Sequence, residues 1–357
     1  MTKVLFLVPY PPGEAPSQRF RFEQYLDLLA DSNIEYEVRS FLSLSNWRIF
    51  YQNGRPTGKI SALISGLFQR IKTLTISSGY DFIFIHREAA PVGPPIIEWF
   101  LAVVLRKKII YDFDDAIWMT DNVHESLLQR ILKWRSKVAS ICRWAYKVSC
   151  GNEFLSAYAA QFNPSIVFLP TTLVTDSGHT PAAKASSDES ITIGWTGSHS
   201  TLKYLNPLEP VLKNLISNFS NLTVRVIADR KPDFSLANLE FVPWNKTTEV
   251  EDLRQIDIGV MPLPDDDWSK GKCGFKALQY MALEIPAVVS AVGANSQIVR
   301  NGIDGFVVNS EAEWLDALSK LIVDPELRKV MGRNGRQRVL EHYSVASNSA
   351  RFLSLFS

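Results

Sequence analysis

Behind Met1-Thr-Lys the chain opens with five consecutive apolar residues, Val4–Val8, then a loop, Pro9-Tyr-Pro-Pro-Gly-Glu-Ala-Pro-Ser17. A short apolar run ended by turn residues reads as a buried strand. Gln18–Ala30 carries Phe20, Tyr25, Leu28 and Leu29 at helical spacing, and Ile34–Val38 is a second strand. Further strands are expected at Phe82–Ile85, Ile109–Asp112 and Lys147–Cys150, separated by helical stretches at 60–76, 94–106 and 124–146. Strands alternating with helices make a parallel sheet. Thr171–Ser190 is rich in Ser, Thr, Ala and Pro, has no apolar period, and reads as a linker. The alternation then restarts with strands at Ile191–Trp195, Thr223–Ile227, Leu239–Val242, Ile258–Met261, Ala287–Ser290 and Phe306–Val308. Helices fall at 204–218, 247–254, 274–283 and 294–300. The pattern predicts two Rossmann-like doubly wound α/β domains facing across a cleft, and 357 residues suffice for two cores.

Composition narrows the function classes. With 46% hydrophobic and 21% charged residues the chain is ordinary globular protein, and its formal net charge of +1 argues against a general nucleic-acid binder. Residues 1–170 hold 19 Lys+Arg against 15 Asp+Glu, and the remainder 19 against 22, a small bias toward an anionic surface for the first half. Cys142, Cys150 and Cys273 lack metal-type pairing and suit reduced thiols in a cytoplasmic protein. Ile96–Leu105 is interrupted by Glu98 and stops at Arg106, well short of the ~20 residues that span a bilayer. Membrane contact is therefore expected to be peripheral at most. In the 124–146 helix, Arg130, Lys133, Lys137 and Trp144 lie near one another, which fits either a solvated basic face or an anionic membrane surface.

In an open parallel sheet, ligands bind outside the carboxyl ends of the strands. None of those loops carries G-x-G-x-x-G or a P-loop. In Asp267-Trp-Ser-Lys-Gly-Lys-Cys-Gly-Phe-Lys-Ala-Leu-Gln279, a Gly/Lys-rich loop runs straight into a helix. The amides of that helix start, with Lys270, Lys272 and Lys276, suit a diphosphate, and Gly271 and Gly274 allow close approach. A solvated basic turn before a core helix is the other reading. Amides around Gly197 and Ser198, at the end of Ile191–Trp195, are candidates for an anionic ligand or form a plain turn. Lys203 follows them. Tyr111-Asp-Phe-Asp-Asp115 crowds three carboxylates at a strand end, and like charges there need a metal, a proton or a basic group. Either Asp115 caps a helix while another Asp pairs with an Arg, or the cluster is functional. His86 and Glu88 close another strand, and the first loop offers Gly13, Ser17, Arg19 and Arg21 to an acceptor hydroxyl or a donor phosphate.

Lys276-Ala-Leu-Gln-Tyr-Met-Ala-Leu-Glu-Ile-Pro-Ala-Val-Val-Ser290 resembles the signature of family-four retaining glycosyltransferases of the GT-B fold. Ile191–Gly197, Gly293 with Ile298-Val-Arg-Asn-Gly-Ile-Asp-Gly-Phe306, and Asp324–Gly332 are similar to the same family's C-terminal domain. The resemblance implies a donor-binding domain at 191–343, with Gly197, Ser198, Lys203, Lys272, Gly274, Phe275, Lys276 and Gln279 around a nucleotide sugar. The acceptor side then falls to residues 1–170, with 171–190 as linker and 344–357 crossing back onto the first domain. Two family glutamates match Gly271 and Gln279, a family arginine matches Ser198, and the catalytic histidine matches Asp114. Asp114 or Asp115 is thereby the candidate to orient an acceptor or donor hydroxyl, while Gly13, Arg19 and His86 are the candidate acceptor-side residues.

What the resemblance implies is sugar transfer with retention, to a glycan or lipid-linked acceptor in cell-surface polysaccharide synthesis. It implies no cofactor and no required metal. The location implied is the cytoplasm, at the inner face of the membrane. The Asp112–Asp114 pair is also similar to the D-x-D of metal-dependent glycosyltransferases. A GT-B epimerase would use the same donor site without an acceptor, and the changes at 271, 198 and 114 also suit a non-catalytic nucleotide-sugar-binding protein.

Overall fold

The structure, a computed structural model, describes residues 1–52, 54–121, 125–182 and 190–357. They divide into two compact units, Met1–Thr171 with Asn348–Ser357, and Thr172–Ser347. Of the expected linker, residues 183–189 lie outside the described residues.

The first unit is built on six strands, β1 (Thr2–Val8), β2 (Ile34–Ser40), β3 (Phe82–His86), β4 (Lys108–Phe113), β5 (Lys147–Cys150) and β6 (Ile166–Phe168). All pairings are parallel, in the order β2-β1-β3-β4-β5-β6. In register, Leu5 lies beside Ile83 and Ile83 beside Ile109, so the apolar runs stack through the sheet centre. The connections carry α1 (Pro16–Arg19), α2 (Leu26–Asp31), α3 (Leu44–Tyr51), α4 (Pro56–Ile76), α5 (Ile96–Trp99), which continues as a π turn over Phe100–Val104, α6 (Leu127–Lys133), α7 (Lys137–Trp144) and α8 (Glu153–Ala160).

Two expected helices are divided. Gln18–Ala30 becomes α1, a 3₁₀ turn at Glu23–Tyr25 and α2. The 124–146 stretch is two helices, because Trp134 takes φ 47° and ends α6; residue 124 itself is outside the described residues. The basic stripe imagined on one long helix therefore does not exist, since Lys137 is buried against Glu88 at 2.7 Å.

The second unit repeats the architecture with β7 (Ile191–Thr196), β8 (Leu222–Ala228), β9 (Leu239–Pro243), β10 (Ile258–Met261), β11 (Ala287–Ser290) and β12 (Gly305–Val308). Their order is β12-β11-β10-β7-β8-β9, again all parallel. Its helices are α9 (Glu209–Asn218), α10 (Glu249–Arg254), α11 (Asp267–Lys270), α12 (Phe275–Ala282), α13 (Asn295–Ile298), α14 (Glu311–Val323) and α15 (Pro325–His342). Ile193, Trp195, Val224, Val226, Ile258, Val288 and the inner faces of α9 and α14 form its core. The closing α16 (Val345–Leu353) leaves the second unit at Ser347, and its Phe352 stacks on Tyr25 of the first, centroids 4.3 Å apart.

Candidate functional site

Strand order places the candidate crevices. In the second unit the chain winds outward from β7 in one direction and from β10 in the other, so the switch point lies between them and the loops after β7 and β10 flank it. In the first unit the same logic selects the loops after β1 and β3.

After β7 the chain makes a tight turn. Gly197 N donates to Ile227 O (3.0 Å), Ser198 N to Thr201 Oγ1 (3.1 Å) and His199 N to Asp229 Oδ1 (2.5 Å). Both the Gly197 and the Ser198 amide thus donate within the protein, as in the plain-turn reading of this loop. Glycine is required at 197, because a Cβ there would sit 2.3 Å from the Trp195 ring. Ser198 Oγ meets Ser200 Oγ at 2.9 Å, and Lys203 is exposed with its ammonium 5.3 Å from the Tyr204 ring.

The loop after β10 holds the lysines. Asp266 caps α11 through Ser269 N (2.7 Å), and Lys270 is drawn to Asp267 (3.0 Å) and Asp265 (3.6 Å). The Asp267 hydrogen bond and charge raise the Lys270 pKa. Lys272 instead lies over the Trp268 ring (4.9 Å) and Lys276, in the first turn of α12, over the Trp195 ring of β7 (5.5 Å). Lys276 so reaches β7 at the switch point, while Lys272 stays on the loop after β10 that flanks it. Gly274 enters α12 at φ +66°, where a side chain would be strained and a Cβ would strike Ile298 at 2.1 Å. Tyr280 Oη accepts from Thr196 N (3.1 Å), tying α12 to the end of β7. Phe275 is half-buried beside these groups.

Three polar atoms in this region, Trp268 Nε1, Ser269 Oγ and Asn295 Oδ1, are buried without a hydrogen-bond partner in the protein. Such groups cost about 1–3 kcal/mol each unless a ligand or water completes them. Asn295 Oδ1 lies 3.5 Å from where a Cβ of residue 274 would be, and its Nδ2 is fixed by Ser290 O at 3.1 Å. Gln279 lies deeper on α12, buried, with its amide toward Glu249 Oε1 (3.3 Å) and His179 Nε2 (3.3 Å).

In the first unit, the carboxylates are resolved into two groups. Asp112, on β4, is buried with Arg21 Nη2 (2.5 Å), His86 Nδ1 (2.8 Å) and Ser149 Oγ (2.7 Å). Arg21 also donates to Leu169 O. Burial opposes the Asp112 charge, but Arg21 and then His86 outweigh it and hold the carboxyl well below the usual range. Asp114 and Asp115 share Arg87, whose Nε is 3.6 Å from Asp114 Oδ1 and whose Nη2 is 2.6 Å from Asp115 Oδ2. Burial and then, against Arg87, neighbouring Asp115 push the Asp114 carboxyl up. Of the open readings for this cluster, basic groups relieve the crowding. His86 Nε2 is buried and has no partner in the protein. Gly13 donates its amide to Glu23 Oε2 (2.8 Å) at φ 79°, and the Arg19 guanidinium lies 4.8 Å from the Phe20 ring.

Residues 235–338 match the family model described as Glycosyl transferases group 1. The matched segment lies within the second unit. Among curated proteins, the capsular polysaccharide biosynthesis glycosyltransferase CapM of Staphylococcus aureus is 24% identical over 167 residues, 44% of this chain, and the chain covers 43% of that relative's length. Sucrose-phosphate synthase from Thermosynechococcus elongatus superposes with a TM-score of 0.73 at 14% identity, covering 100% of this chain and 98% of its own. Anabaena HepE, crystallised with UDP and glucose, gives 0.68 at 12% identity, with 99% of each chain covered.

Lys272, Gly274, Phe275, Lys276 and Gln279 all fall inside the matched segment, together with Trp268, Ser269 and Asn295, which sequence reasoning passes over. Gly197, Ser198 and Lys203 precede it, although the fold brings Trp195 to Lys276. Trp268 and Ser269 stand in the motif that drew attention to the lysines, whereas Asn295 lies nineteen positions beyond Lys276 and only folding brings it to Gly274.

Proposed function

We propose that this chain is a hexosyltransferase that takes its sugar from a nucleotide-sugar donor held on the second unit. It passes the sugar, with retained anomeric configuration, to a glycan or lipid-linked acceptor in cell-surface polysaccharide synthesis, in the cytoplasm at the inner face of the membrane. The observation that carries this reading is the juxtaposition of Lys272, Lys276 and the αL Gly274 with Asn295 Oδ1 and Ser269 Oγ beside the switch point of the second unit. HepE's crystallisation with UDP-glucose supports a nucleotide-sugar donor, and the name of the Staphylococcus relative supports the polysaccharide context.

When the sugar–phosphate bond breaks, the bonding pair leaves with the nucleoside diphosphate. Lys272 and Lys276, together with the positive end of α12, stabilise that charge. Asn295 and Ser269 take over hydroxyl recognition where Gly271 supplies no carboxylate, and Gln279, held by Glu249 and His179, lines the nucleoside side. On the first unit, Asp114 and Asp115 orient a reacting hydroxyl, with His86, Arg19 and Gly13 on the acceptor side. Arg87 already balances the two aspartates, so turnover proceeds without a divalent ion.

A thermal-shift screen of nucleotide sugars tests the reading, because a ligand that binds only the folded state raises the melting temperature by mass action. One nucleotide sugar should shift it, and turnover with that donor should survive excess chelator. No shift with any donor rejects the donor site. Activity that vanishes with chelator and returns with manganese rejects the metal-free mechanism and gives the aspartates a cation.

A further inference from the structure

The amphipathic pattern of α4 is inverted. Its buried line is Ala62, Gly66, Arg70 and Thr73, small or polar residues at helical spacing. Gly66 lets the helix lie against Phe41, whose ring would come within 2.3 Å of any Cβ there. Arg70 is pinned by Ala89 O (2.7 Å), Arg39 O (2.9 Å) and Val8 O (2.7 Å), so the helix cannot roll over. The opposite line is Ile60, Ile64, Leu67, Phe68 and Ile71, all exposed, with Ile64 at 63% and Phe68 at 67%. At 100° per residue these five cover about one third of the helix circumference, one continuous stripe.

Neighbouring elements continue this apolar face. Right-handed crossovers from β2 to β3, β3 to β4 and β4 to β5 put their helices on one side of the sheet. There α4 packs beside α5, whose exposed residues are Ile96, Trp99, Val103 and Val104 along the helix and its π turn. Gly93 N, in the loop before α5, donates to Leu132 O at the end of α6 (2.7 Å). No residue of α6 is buried, and Leu127 (73%), Leu128, Ile131 and Leu132 are exposed, followed by Trp134. Soluble monomers rarely show contiguous apolar surface on this scale.

Charge selects the occupant. Between residues 41 and 80 there is no Asp or Glu, and Arg48, Arg55 and Lys72 are exposed there; between 126 and 151 there is again none, and of its six Lys and Arg, Arg130, Lys133 and Arg143 are exposed, whereas Arg70 and Lys137 are buried. The acid on α5, Glu98, is buried under Ala89 N. Apolar insertion ringed by cations matches a bilayer surface carrying anionic headgroups.

We infer that the α4–α5–α6 layer of the first unit is a docking surface for an anionic membrane, with Ile64, Phe68 and their neighbours inserted among the acyl chains. The inference deepens, and rests on, the proposed use of a lipid-linked acceptor at a membrane face. Its test needs neither donor nor turnover, so the two fail separately.

The full chain is sedimented with vesicles of phosphatidylcholine mixed with phosphatidylglycerol, and with phosphatidylcholine alone. Binding is expected to the anionic vesicles, to weaken with salt, and to fall roughly a hundredfold in the Ile64→Gln/Phe68→Gln variant, since each buried large apolar side chain is worth about a factor of ten or more. Both side chains are exposed, so the melting temperature should hold. A second measurement avoids variants of α4: brominated phosphatidylglycerol should quench wild-type tryptophan fluorescence, and Trp99→Phe/Trp134→Phe should remove most of that quenching. No binding to anionic vesicles overturns the inference, as does binding that survives the α4 variant with quenching independent of Trp99 and Trp134. A stable dimer in lipid-free buffer that the α4 variant dissociates also overturns it, because a second copy then covers the face.

Discussion

The two units share one architecture, a six-stranded parallel sheet with a switch point beside its first strand, yet their strand ends are finished differently. In the first unit the charges close on each other: Asp112 takes Arg21, His86 and Ser149, while Arg87 serves both Asp114 and Asp115. In the second unit, Lys272 and Lys276 lie over indole rings, and Trp268 Nε1, Ser269 Oγ and Asn295 Oδ1 are buried without a protein partner. Buried polar groups that satisfy one another fix geometry, and buried polar groups left open pay a standing cost that a ligand can recover. The Asp112 cluster thus holds a scaffold in place, with His86 Nε2 left open at its edge, and the open groups of the second unit are shaped for something to enter.

The contrast breaks most visibly at Asp112. Asp112→Asn removes one partner of a fully buried ion pair and leaves Arg21 unbalanced, which costs about 3–5 kcal/mol. Unfolding followed by denaturant should show that loss while donor affinity on the second unit stays within twofold. An equal loss of donor affinity would mean that the two clusters are not separate in function.

pH sharpens the same difference within the first unit. The Asp112 pKa is lowered by folding, so its contribution to stability is fully present above the ordinary carboxylate range, about pH 4, and is lost as pH falls through the folded value. Asp114 is raised, so its ionised form costs stability above its folded pKa. If ionised Asp114 acts on the reacting hydroxyl, kcat should begin to fall at a higher pH than an unperturbed aspartate would give, and Asp114→Asn should abolish that limb. A limb that persists in the variant assigns it elsewhere.

The smallest change is expected at Ser269. Ser269→Ala deletes a buried hydroxyl that has no partner in the protein, so the melting temperature should hold or rise by a few degrees. Affinity for the nucleotide sugar should fall by about fivefold, one hydrogen bond's worth. A clear loss of stability with donor affinity intact would make Ser269 a packing residue.

Much of the fold is legible in the sequence because buried parallel strands are written as short runs of β-branched, Leu and Phe residues. Val4–Val8, Phe82–Ile85 and Ala287–Ser290 are strands to within two residues of where the pattern puts them. β6 escapes the pattern because it has three residues at a sheet edge and none is buried. The break between α6 and α7 escapes it because Trp134 continues the apolar period and only its backbone leaves the helix. The lysine loop is legible because a Gly/Lys run before a helix is a local signal. Arg21 and Ser149 as partners of Asp112 are not, lying 91 and 37 positions away. Nor does the period of α4 reveal that its large apolar side faces outward, since periodicity fixes a face without saying which side is buried.

The central claim is that the lysines of the second unit receive a diphosphate. Calorimetric titration of the nucleoside diphosphate of the best donor, and of its nucleoside, into wild type, Lys272→Ala and Lys276→Ala in excess chelator tests it most directly. A charge-assisted hydrogen bond is worth about 1.5–3 kcal/mol, so each variant should weaken the diphosphate by roughly 10- to 150-fold and leave the nucleoside nearly unchanged. Equal losses for both ligands, or none for either, would contradict the account.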